Sequence, residues 1–214
     1  MPYNPKIHHR RSIRLKGYDY SRAGLYFITI CVQDRKCLFG KIIDGEMILN
    51  DFGTIAYHQW QKLPERFTNM ELDVFQIMPN HLHGIMVLND FVGATRAVAP
   101  HADGAGVNPA RLTAPHAIGA IADQNRGADQ IGAWASPAPT TKTKTVGDIV
   151  GAYKSLVANE CLEIYKIKNE MMGKLWQRNY WEHIIRDGQS YQRISEYIIN
   201  NPKNWNGDKF YNDL

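Results

Sequence analysis

The sequence predicts an α+β fold in which helices pack on a mainly antiparallel sheet. Three observations favour this class. Several short runs are rich in β-branched and aromatic residues, and two longer segments carry apolar residues at helical spacing. The hydrophobic fraction is 44% of 214 residues, which is enough for one buried core. A chain of this length is expected to be a single domain, or one domain with an insertion.

The first half of the chain begins with three predicted strands. Residues 25–32, Leu-Tyr-Phe-Ile-Thr-Ile-Cys-Val, form a short aromatic and β-branched run that is typical of a buried strand. Two shorter strands are predicted at residues 37–42 and 46–49. They should form a hairpin across Asp44-Gly45, a dipeptide favoured in tight turns.

A helix and two further strands are predicted next. Asp51 is expected to cap a helix that runs through about Leu63, because the apolar residues that follow it are spaced roughly helically. Residues 72–78 and 82–88 are then predicted as strands. Pro79-Asn80 between them indicates a short turn or bulge.

The middle of the chain has a different composition. Residues 90–144 are rich in alanine, glycine and proline, hold few large apolar side chains and show no sustained period. This composition indicates a flexible insertion within the domain. Its solitary histidines, His101 and His116, are expected to be solvent residues rather than ligands.

Regular sequence resumes after the insertion. Apolar residues between positions 149 and 165 recur at i, i+3, i+4 and i+7, which predicts an amphipathic helix. Residues 175–185 are aromatic and alternating enough to form another strand. A last helix is predicted from about residue 190 to residue 200 or 201, where Pro202 discourages continuation.

Composition also bears on the cellular compartment. No apolar stretch reaches the ~20 residues of a membrane span, and the first residues are polar and basic, unlike a signal peptide. The three cysteines form no Cys-x-x-Cys pair and are expected to be free thiols. We therefore expect a cytoplasmic protein with no membrane partner.

Basic residues are concentrated in two places, although the net charge is only +4. Such clusters suit phosphate backbones, because each contact releases counterions. For the N-terminal cluster, a solvated basic tail is the alternative. The N-terminal set comprises Lys6, His8, His9, Arg10, Arg11, Arg14 and Lys16, and the later set comprises Lys142, Lys144, Lys154, Lys174, Arg178 and Arg186.

Two histidines, His81 and His83, stand two residues apart in an apolar run. On a strand they would share one face, with Leu82 and Ile85 leaning toward the other. Two imidazoles on a rigid strand form half of a metal site. Without further ligands, such a pair is more often an accident of an edge or a core.

The last predicted helix offers the missing groups. Tyr197 and Asn201 are four residues apart and so share a helix face. If that face packs toward the histidines, a nucleophile and a third ligand arrive together. Two imidazoles and one amide oxygen suit Mg²⁺ or Mn²⁺ better than structural zinc, and the metal would act as a Lewis acid on a phosphodiester. The alternative is ordinary helix packing by Tyr197 and a helix stop after it.

Taken together, these motifs resemble the REP-associated tyrosine transposases, which are single-tyrosine nucleases of the HUH superfamily. The resemblance spans about residues 7–90 and 145–206. Its most specific parts are Met78-Pro79-Asn80-His81-Leu82-His83-Gly84 and Tyr197-Ile198-Ile199-Asn200-Asn201-Pro202 taken together. Further matching blocks are Arg10-Arg11-Ser12-Ile13-Arg14-Leu15, Tyr18-Asp19-Tyr20-Ser21, Gly24-Leu25-Tyr26-Phe27-Ile28-Thr29, Gly151-Ala152-Tyr153-Lys154-Ser155 and Leu175-Trp176-Gln177-Arg178-Asn179-Tyr180.

The resemblance implies a metal-dependent endonuclease and strand transferase for single-stranded DNA that contains imperfect palindromes, the REP-like hairpins. Tyr197 would attack a phosphate and form a 5′-phosphotyrosine link, leaving a free 3′-hydroxyl. The resemblance maps the ligands of Mg²⁺ or Mn²⁺ onto His81, His83 and Asn201, the last of which is glutamine in relatives. Asn200 is the neighbouring alternative, because Pro202 could distort the helix end.

The resemblance also implies DNA contacts. The N-terminal basic segment would read a short tetranucleotide beside the hairpin, and Lys154 would contact a phosphate near the reacting strand. Other residues would supply charge and base stacking, although core packing is an equal alternative for Trp176, Tyr180 and Trp181. The DNA-contacting residues implied are Arg10, Arg11, Arg14, Lys154, Trp176, Arg178 and Tyr180.

The fold implied is a ferredoxin-like α/β sandwich, with helices packed on a central sheet of about five strands. We expect a basic DNA-contacting segment at residues 1–24 and one catalytic domain at residues 25–206, interrupted by the insertion. Residues 207–214 are expected to be a C-terminal tail. We expect a monomer whose tyrosine helix acts in cis, and a dimer that exchanges this helix is the alternative.

Two other functions fit the same residues. The chain could be a DNA-hairpin-binding protein without catalytic activity, in which Tyr197 has no chemical role. It could also be a metal-dependent hydrolase that uses an activated water and forms no covalent link to DNA.

Overall fold

The computed structural model describes residues 14–15, 17–90 and 143–211. Arg10, Arg11 and most of the insertion therefore lie outside the described residues. No helix in these ranges is both long and apolar enough to cross a membrane. In chain order, the elements are β1 (Gly24–Cys31), β2 (Gly40–Ile43), β3 (Glu46–Leu49), α1 (Asp51–Gln61), α2 (Leu63–Arg66), β4 (Met70–Met78), β5 (His81–Leu88), α3 (Val146–Ile167), β6 (Trp181–Ile185) and α4 (Gly188–Asn200).

The central sheet has four strands in the order β4-β5-β1-β6, and every pair is antiparallel. The hairpin β2–β3 forms a separate two-stranded sheet, so the central sheet has one strand fewer than the approximate number expected. Its turn has positive φ at Asp44 (51°) and Gly45 (76°), as the predicted tight turn requires. The structure confirms the predicted α+β class.

One face of the sheet is closed by α1 and α3. Even-numbered residues of β1, such as Tyr26 and Ile28, and Leu82 of β5 are fully buried in the main hydrophobic cluster. Trp60 of α1 and Tyr153 of α3 pack against each other in this cluster, with ring centroids 5.1 Å apart. This cluster supplies most of the apolar burial that holds the sheet in place.

The opposite face carries α4. Phe27 of β1 and Ile85 of β5 pack there with Ile198 of α4. Ile85 had been expected on the face of Leu82, and this prediction was wrong. Residues 81, 83 and 85 have the same parity, so a regular strand places all three side chains on one face.

Local sequence explains the ends of the helices. Asn50, rather than the expected Asp51, caps α1, because its side-chain oxygen accepts a hydrogen bond of 3.0 Å from the Gly53 amide. Thr145 and Asp148 form a reciprocal capping box at the start of α3. The strand predicted at residues 175–185 is shorter than expected and begins at Trp181.

The residues on the two sides of the insertion meet at one buried residue, Asn69. The Asn89 amide donates to the Asn69 carbonyl at 2.8 Å, and the Asn69 side chain donates to the Lys144 carbonyl at 3.1 Å. Asn69 is itself buried. Residues 89 and 144, which follow β5 and precede α3, are therefore held at the same place.

Gly84 lets the histidine strand lie directly against Trp60. A Cβ at position 84 would lie 2.7 Å from the Trp60 ring, which is fully buried and cannot move aside. We therefore expect Gly84→Ala to lower the free energy of unfolding by about 1–3 kcal/mol through overpacking. Urea denaturation followed by circular dichroism measures this change.

Gly151→Ala is the matched control, because nothing lies within 4 Å of a Cβ built at that position in α3. Replacing a mid-helix glycine by alanine should raise the free energy of unfolding by about 0.5–1 kcal/mol. Equal effects at both positions would contradict the close packing at Gly84.

Candidate active site

His81 and His83 lie side by side at the start of β5, directly after the turn at Pro79-Asn80. Both are fully buried, and their ring centroids are 4.4 Å apart. In the register with β1, His83 is opposite Thr29 and His81 is opposite Cys31. The two imidazoles therefore project from the centre of the sheet toward the side of α4.

The Asn80 side chain determines the proton position on His81. Its amide nitrogen donates to the carbonyls of Arg35 (3.1 Å) and Phe210 (2.8 Å), so its oxygen is left as an acceptor. That oxygen lies 2.8 Å from His81 Nδ1, which must carry the hydrogen. His81 Nε2 then has a lone pair, and it is buried without a hydrogen-bond partner in the part of the chain that the structure describes.

His83 connects the sheet to α4. Its Nδ1 lies 2.8 Å from the Thr29 hydroxyl, and its Nε2 lies 3.1 Å from the Tyr197 hydroxyl. Phe27 packs beside both rings, with centroids 5.4 Å from His83 and 6.3 Å from Tyr197. Tyr197 is held against the histidine pair, and 39% of the residue remains exposed to solvent.

Contacts in its first turn hold the N-terminal end of the tyrosine helix. Asp187 caps α4 by accepting from the Ser190 amide at 2.7 Å. The Tyr191 hydroxyl donates to the Asp73 carboxylate at 3.0 Å, and Asp73 lies at an irregularity in the pairing of β4. These contacts determine where Tyr197 meets the sheet.

Asn201 lies at the C-terminal cap of α4 and retains helical backbone angles although Pro202 follows it. Its amide nitrogen donates to Asp208 Oδ2 at 2.7 Å, and its oxygen is buried without a hydrogen-bond partner among the described residues. Asn200, the alternative ligand, instead donates to the Glu196 carbonyl of its own helix. Asn201, and not Asn200, is therefore bonded to the carboxylate that lies beside the two histidines.

Asp208 completes the cluster and was missed by the sequence analysis. It follows a 3₁₀ turn at Trp205–Gly207, and its Oδ2 accepts from the Tyr197 hydroxyl at 3.1 Å. One ligand atom each from His81, His83 and Asp208 lie within 4.8 Å of one another.

Residues 208–211, placed by sequence in a tail, pack into the site. Phe210 is buried, with its ring centroid 4.6 Å from that of His81, and Trp205 is buried beside it. The aromatic residues at positions 210 and 211 were the available signal, because a short solvated tail seldom holds two large rings.

Burial sets the protonation of the site. Desolvation, aided by the positive charges of Lys209 and Arg35, lowers the pKa of His81 to about 3. Desolvation and the neighbouring His81 also place the pKa of His83 well below its usual range. Burial, and then the Asp208 carboxylate, raise the pKa of Tyr197. At neutral pH, both imidazoles are neutral and able to act as ligands.

Arg14 and Tyr180, implied as DNA contacts, have partners within the protein. Arg14 forms an ion pair with Glu182 (3.3 Å) and donates a hydrogen bond to the Tyr180 hydroxyl. The Glu182 side chain is almost fully buried. These contacts attach the N-terminal segment to the edge of the sheet.

Lys154 and Trp176 also have structural contacts. The Lys154 ammonium donates to the carbonyls of residues 177, 178 and 179, at 2.9, 3.4 and 3.1 Å. Burial lowers the pKa of Lys154 to about 8. The Trp176 indole donates to the Lys154 carbonyl at 3.0 Å, and its ring packs on Phe39 in the core. Arg178, by contrast, is exposed.

The buried histidines make the metal-free protein sensitive to acid. Between about pH 3 and pH 6.5, the unfolded chain binds protons that folded His81 does not, so the free energy of unfolding should fall as pH falls. Urea denaturation in EDTA at about pH 7 and about pH 5 measures this effect.

His81→Gln should make the pH dependence shallower, because one of the two buried imidazoles is removed. His58→Gln, a change on the exposed side of α1, is the matched control and should keep the wild-type dependence. Equal unfolding free energies at the two pH values in the wild type would contradict burial of neutral imidazoles.

Similarity to known proteins agrees with the fold and the motifs. No protein-family model matches the chain. It is 39% identical over 211 residues to an uncharacterised protein of Haemophilus influenzae, covering 99% of this chain and 98% of that one. Another protein of that organism, provisionally named a REP-associated tyrosine transposase, is 22% identical over 206 residues, which are 92% of this chain and 85% of that protein.

Among solved structures, a REP-associated tyrosine transposase bound to a REP hairpin has a TM-score of 0.50 and 16% sequence identity. The match covers 92% of this chain and 76% of that one, and at this identity it concerns the fold. The chain therefore belongs to one family with the 39% identical Haemophilus influenzae protein, a family related to the REP-associated tyrosine transposases.

Proposed function

We propose that this protein is a divalent-metal-dependent endonuclease and strand transferase for single-stranded DNA, with Tyr197 as the nucleophile. The observation that carries the proposal is the position of the Tyr197 hydroxyl. It lies 3.1 Å from both His83 Nε2 and Asp208 Oδ2, and the same cluster includes His81 and Asn201, each with a buried atom that has no hydrogen-bond partner among the described residues. A phenol so placed has a proton acceptor and an adjoining set of metal ligands.

The donor atoms fit a divalent cation. Within the described ranges, His81 Nε2 and Asn201 Oδ1 are buried without hydrogen-bond partners, which is costly unless a ligand binds them. His83 Nε2 and an Asp208 oxygen lie beside them. Two imidazoles with amide and carboxylate oxygens suit Mg²⁺ or Mn²⁺, and a bound cation would polarise the scissile phosphate.

The Thr29 hydroxyl can form a hydrogen bond with His83 Nδ1 in either tautomer of the imidazole ring. When Tyr197 donates to Asp208, His83 Nε2–H donates to the tyrosine oxygen and Nδ1 accepts from the Thr29 hydroxyl. If the ring hydrogen is on Nδ1 instead, it can donate to the same hydroxyl, which both donates and accepts. The Nε2 lone pair is then available to a ligand.

Asp208 is proposed to accept the proton that Tyr197 loses. In the reaction, the bond between Tyr197 Oη and phosphorus forms and the bond between phosphorus and O3′ breaks. The tyrosine proton passes to Asp208 Oδ2, and the departing 3′ oxygen takes a proton from solvent. The product is a 5′-phosphotyrosine link, which a second 3′-hydroxyl can reverse without ATP.

The proposed substrate is DNA with imperfect palindromes, as hairpins of the REP type. A REP hairpin is bound in the similar solved structure, and the motifs quoted above match that family. Arg10, Arg11 and the exposed Arg178 are proposed to contact this DNA. The proposed location of the protein is the cytoplasm.

We propose that the protein acts as a monomer. Helix α4 packs on β4 and β5 of its own chain, and Tyr197 contacts His83 of the same chain. The site is thus complete without exchange of a helix between two subunits.

Covalent trapping tests the proposed nucleophile. Incubation of the full chain with labelled hairpin DNA and Mn²⁺ should give an SDS-resistant protein–DNA adduct, and Tyr197→Phe should abolish it. Tyr165→Phe, which alters a hydroxyl on α3 across the sheet, should form the adduct as the wild type does.

Two outcomes would contradict this proposal. Cleavage without an adduct would indicate a hydrolase that uses an activated water. Hairpin binding that Tyr197→Phe leaves unchanged, with no reaction across a wide set of hairpins, would indicate a binding protein without catalytic activity.

The adjacent asparagines test the metal ligands. Asn201→Leu should weaken Mn²⁺ binding at least about tenfold, since even outer-shell partners of a metal site contribute that much. Asn200→Leu should leave Mn²⁺ binding unchanged, because Asn200 donates along its own helix. Isothermal titration calorimetry measures both affinities, and equal affinities would remove Asn201 from the ligand set.

A further inference from the structure

We infer that the open face of β6 binds the unpaired bases next to the scissile phosphate, with Trp181 as a stacking platform. This inference rests on the proposed function and extends it to Trp181, for which the sequence left core packing and base stacking as equal alternatives, and to its neighbour His183. It concerns the β6 platform, which we define as Trp181 and His183 on the face of the sheet shared with the histidine pair.

The sheet register places the β6 platform beside the active site. Thr29 of β1 is paired with His83 on one side and with Trp181 on the other. Directly paired residues of antiparallel strands point to the same face, so these three side chains form one row across the sheet. Two strand spacings separate the outer residues, which places Trp181 about 10 Å from His83.

Trp181 is exposed although it lies on a sheet that is otherwise well covered. Its relative exposure is 59%, and Tyr197 on the same face is 39% exposed. Within the described ranges, these are the two aromatic residues among the exposed large hydrophobic side chains. The exposed rings of Trp181 and Tyr197 lie near one row of side chains. They could stack with a series of flat rings, such as the bases of single-stranded DNA.

Helix α4 does not extend over this part of the sheet. It packs mainly on β4 and also on β5, while Ile185, at the far end of β6, contributes to the cluster that includes Ile198. Trp181 and His183, nearer the start of the strand, remain exposed. The platform therefore continues directly from the exposed side of Tyr197.

The charge around the platform also favours a nucleic acid. Glu182, the carboxylate of β6, points to the opposite face and is paired with Arg14. Two exposed arginines, Arg178 and Arg186, flank the strand in sequence. The exposed face thus carries an indole and an imidazole, and exposed arginines lie close to it in sequence; aromatic rings and cations together bind bases and phosphates.

A metal-free binding experiment tests the platform separately from catalysis. The probe is a fluorescent oligothymidylate, because stacking on an aromatic ring depends little on the base. Measured by anisotropy with the full chain in EDTA, Trp181→Ala should weaken binding by about 5-fold to about 150-fold. Trp181→Phe retains a ring and should recover most of the affinity.

Met171→Ala is the matched control, because it removes an apolar side chain that is 97% exposed on the segment after α3. It should bind oligothymidylate as the wild type does. A direct readout is photocrosslinking of an iodouridine-containing oligonucleotide, which should modify the peptide containing Trp181 in the wild-type protein.

The outcomes separate this inference from the proposed function. Wild-type affinity in Trp181→Ala, while the Tyr197 adduct still forms, would overturn the platform and leave the nuclease proposal intact. A change in oligomeric state of Trp181→Ala, without a change in DNA binding, would assign the face to a second copy of the chain and also overturn it. Absence of the adduct in the wild type would instead count against the proposed function.

Discussion

Two imidazoles packed side by side inside the protein impose the constraint on which the rest of the site depends. Burial excludes their charged forms, so each ring nitrogen must find a neutral partner or a ligand. Asn80, Thr29 and Tyr197 provide partners for three of the four nitrogens. The turn before β5, the neighbouring strand and the tyrosine helix are thus connected through one pair of rings.

The two faces of the sheet have different physical roles. One face is closed by α1 and α3 and supplies apolar burial, which keeps the strands rigid. The other face is covered by α4 and residues 205–211 only in part, so Tyr197 and Trp181 remain accessible. A site for a large polymeric substrate would need both properties. The closed face keeps the groups of the site positioned in advance, and the partly covered face leaves them accessible.

Cations near the sheet edge have contacts that charge in a sequence does not reveal. Lys154 and Arg14 were implied as DNA contacts, yet both have partners within the protein. The sequence shows which residues are cations, and its periodicity predicts the helix or segment on which they lie. It does not identify the carbonyls or carboxylates that the fold brings to them.

The sequence was sufficient where the relation between residues is local. Alternation along β5 predicts that His81 and His83 share a face, and helical spacing predicts that Tyr197 and Asn201 do. Asp208 could not be predicted, because its position depends on how the chain turns after α4 and packs two aromatic rings against the sheet. The same limit applies to Asn80, whose two carbonyl acceptors come from distant parts of the chain.

The contacts of residues 89 and 144 with Asn69 affect how the length of the chain between β5 and α3 can change in evolution. Because residues 89 and 144 are held at one point, the entropy of closing a segment between them grows only slowly with its length. Residues can be gained or lost there without a change in the sheet or in the spacing of Tyr197 and the histidine pair. Relatives are therefore free to differ in length between β5 and α3 while sharing one domain, and a foreign module could be carried at the same position.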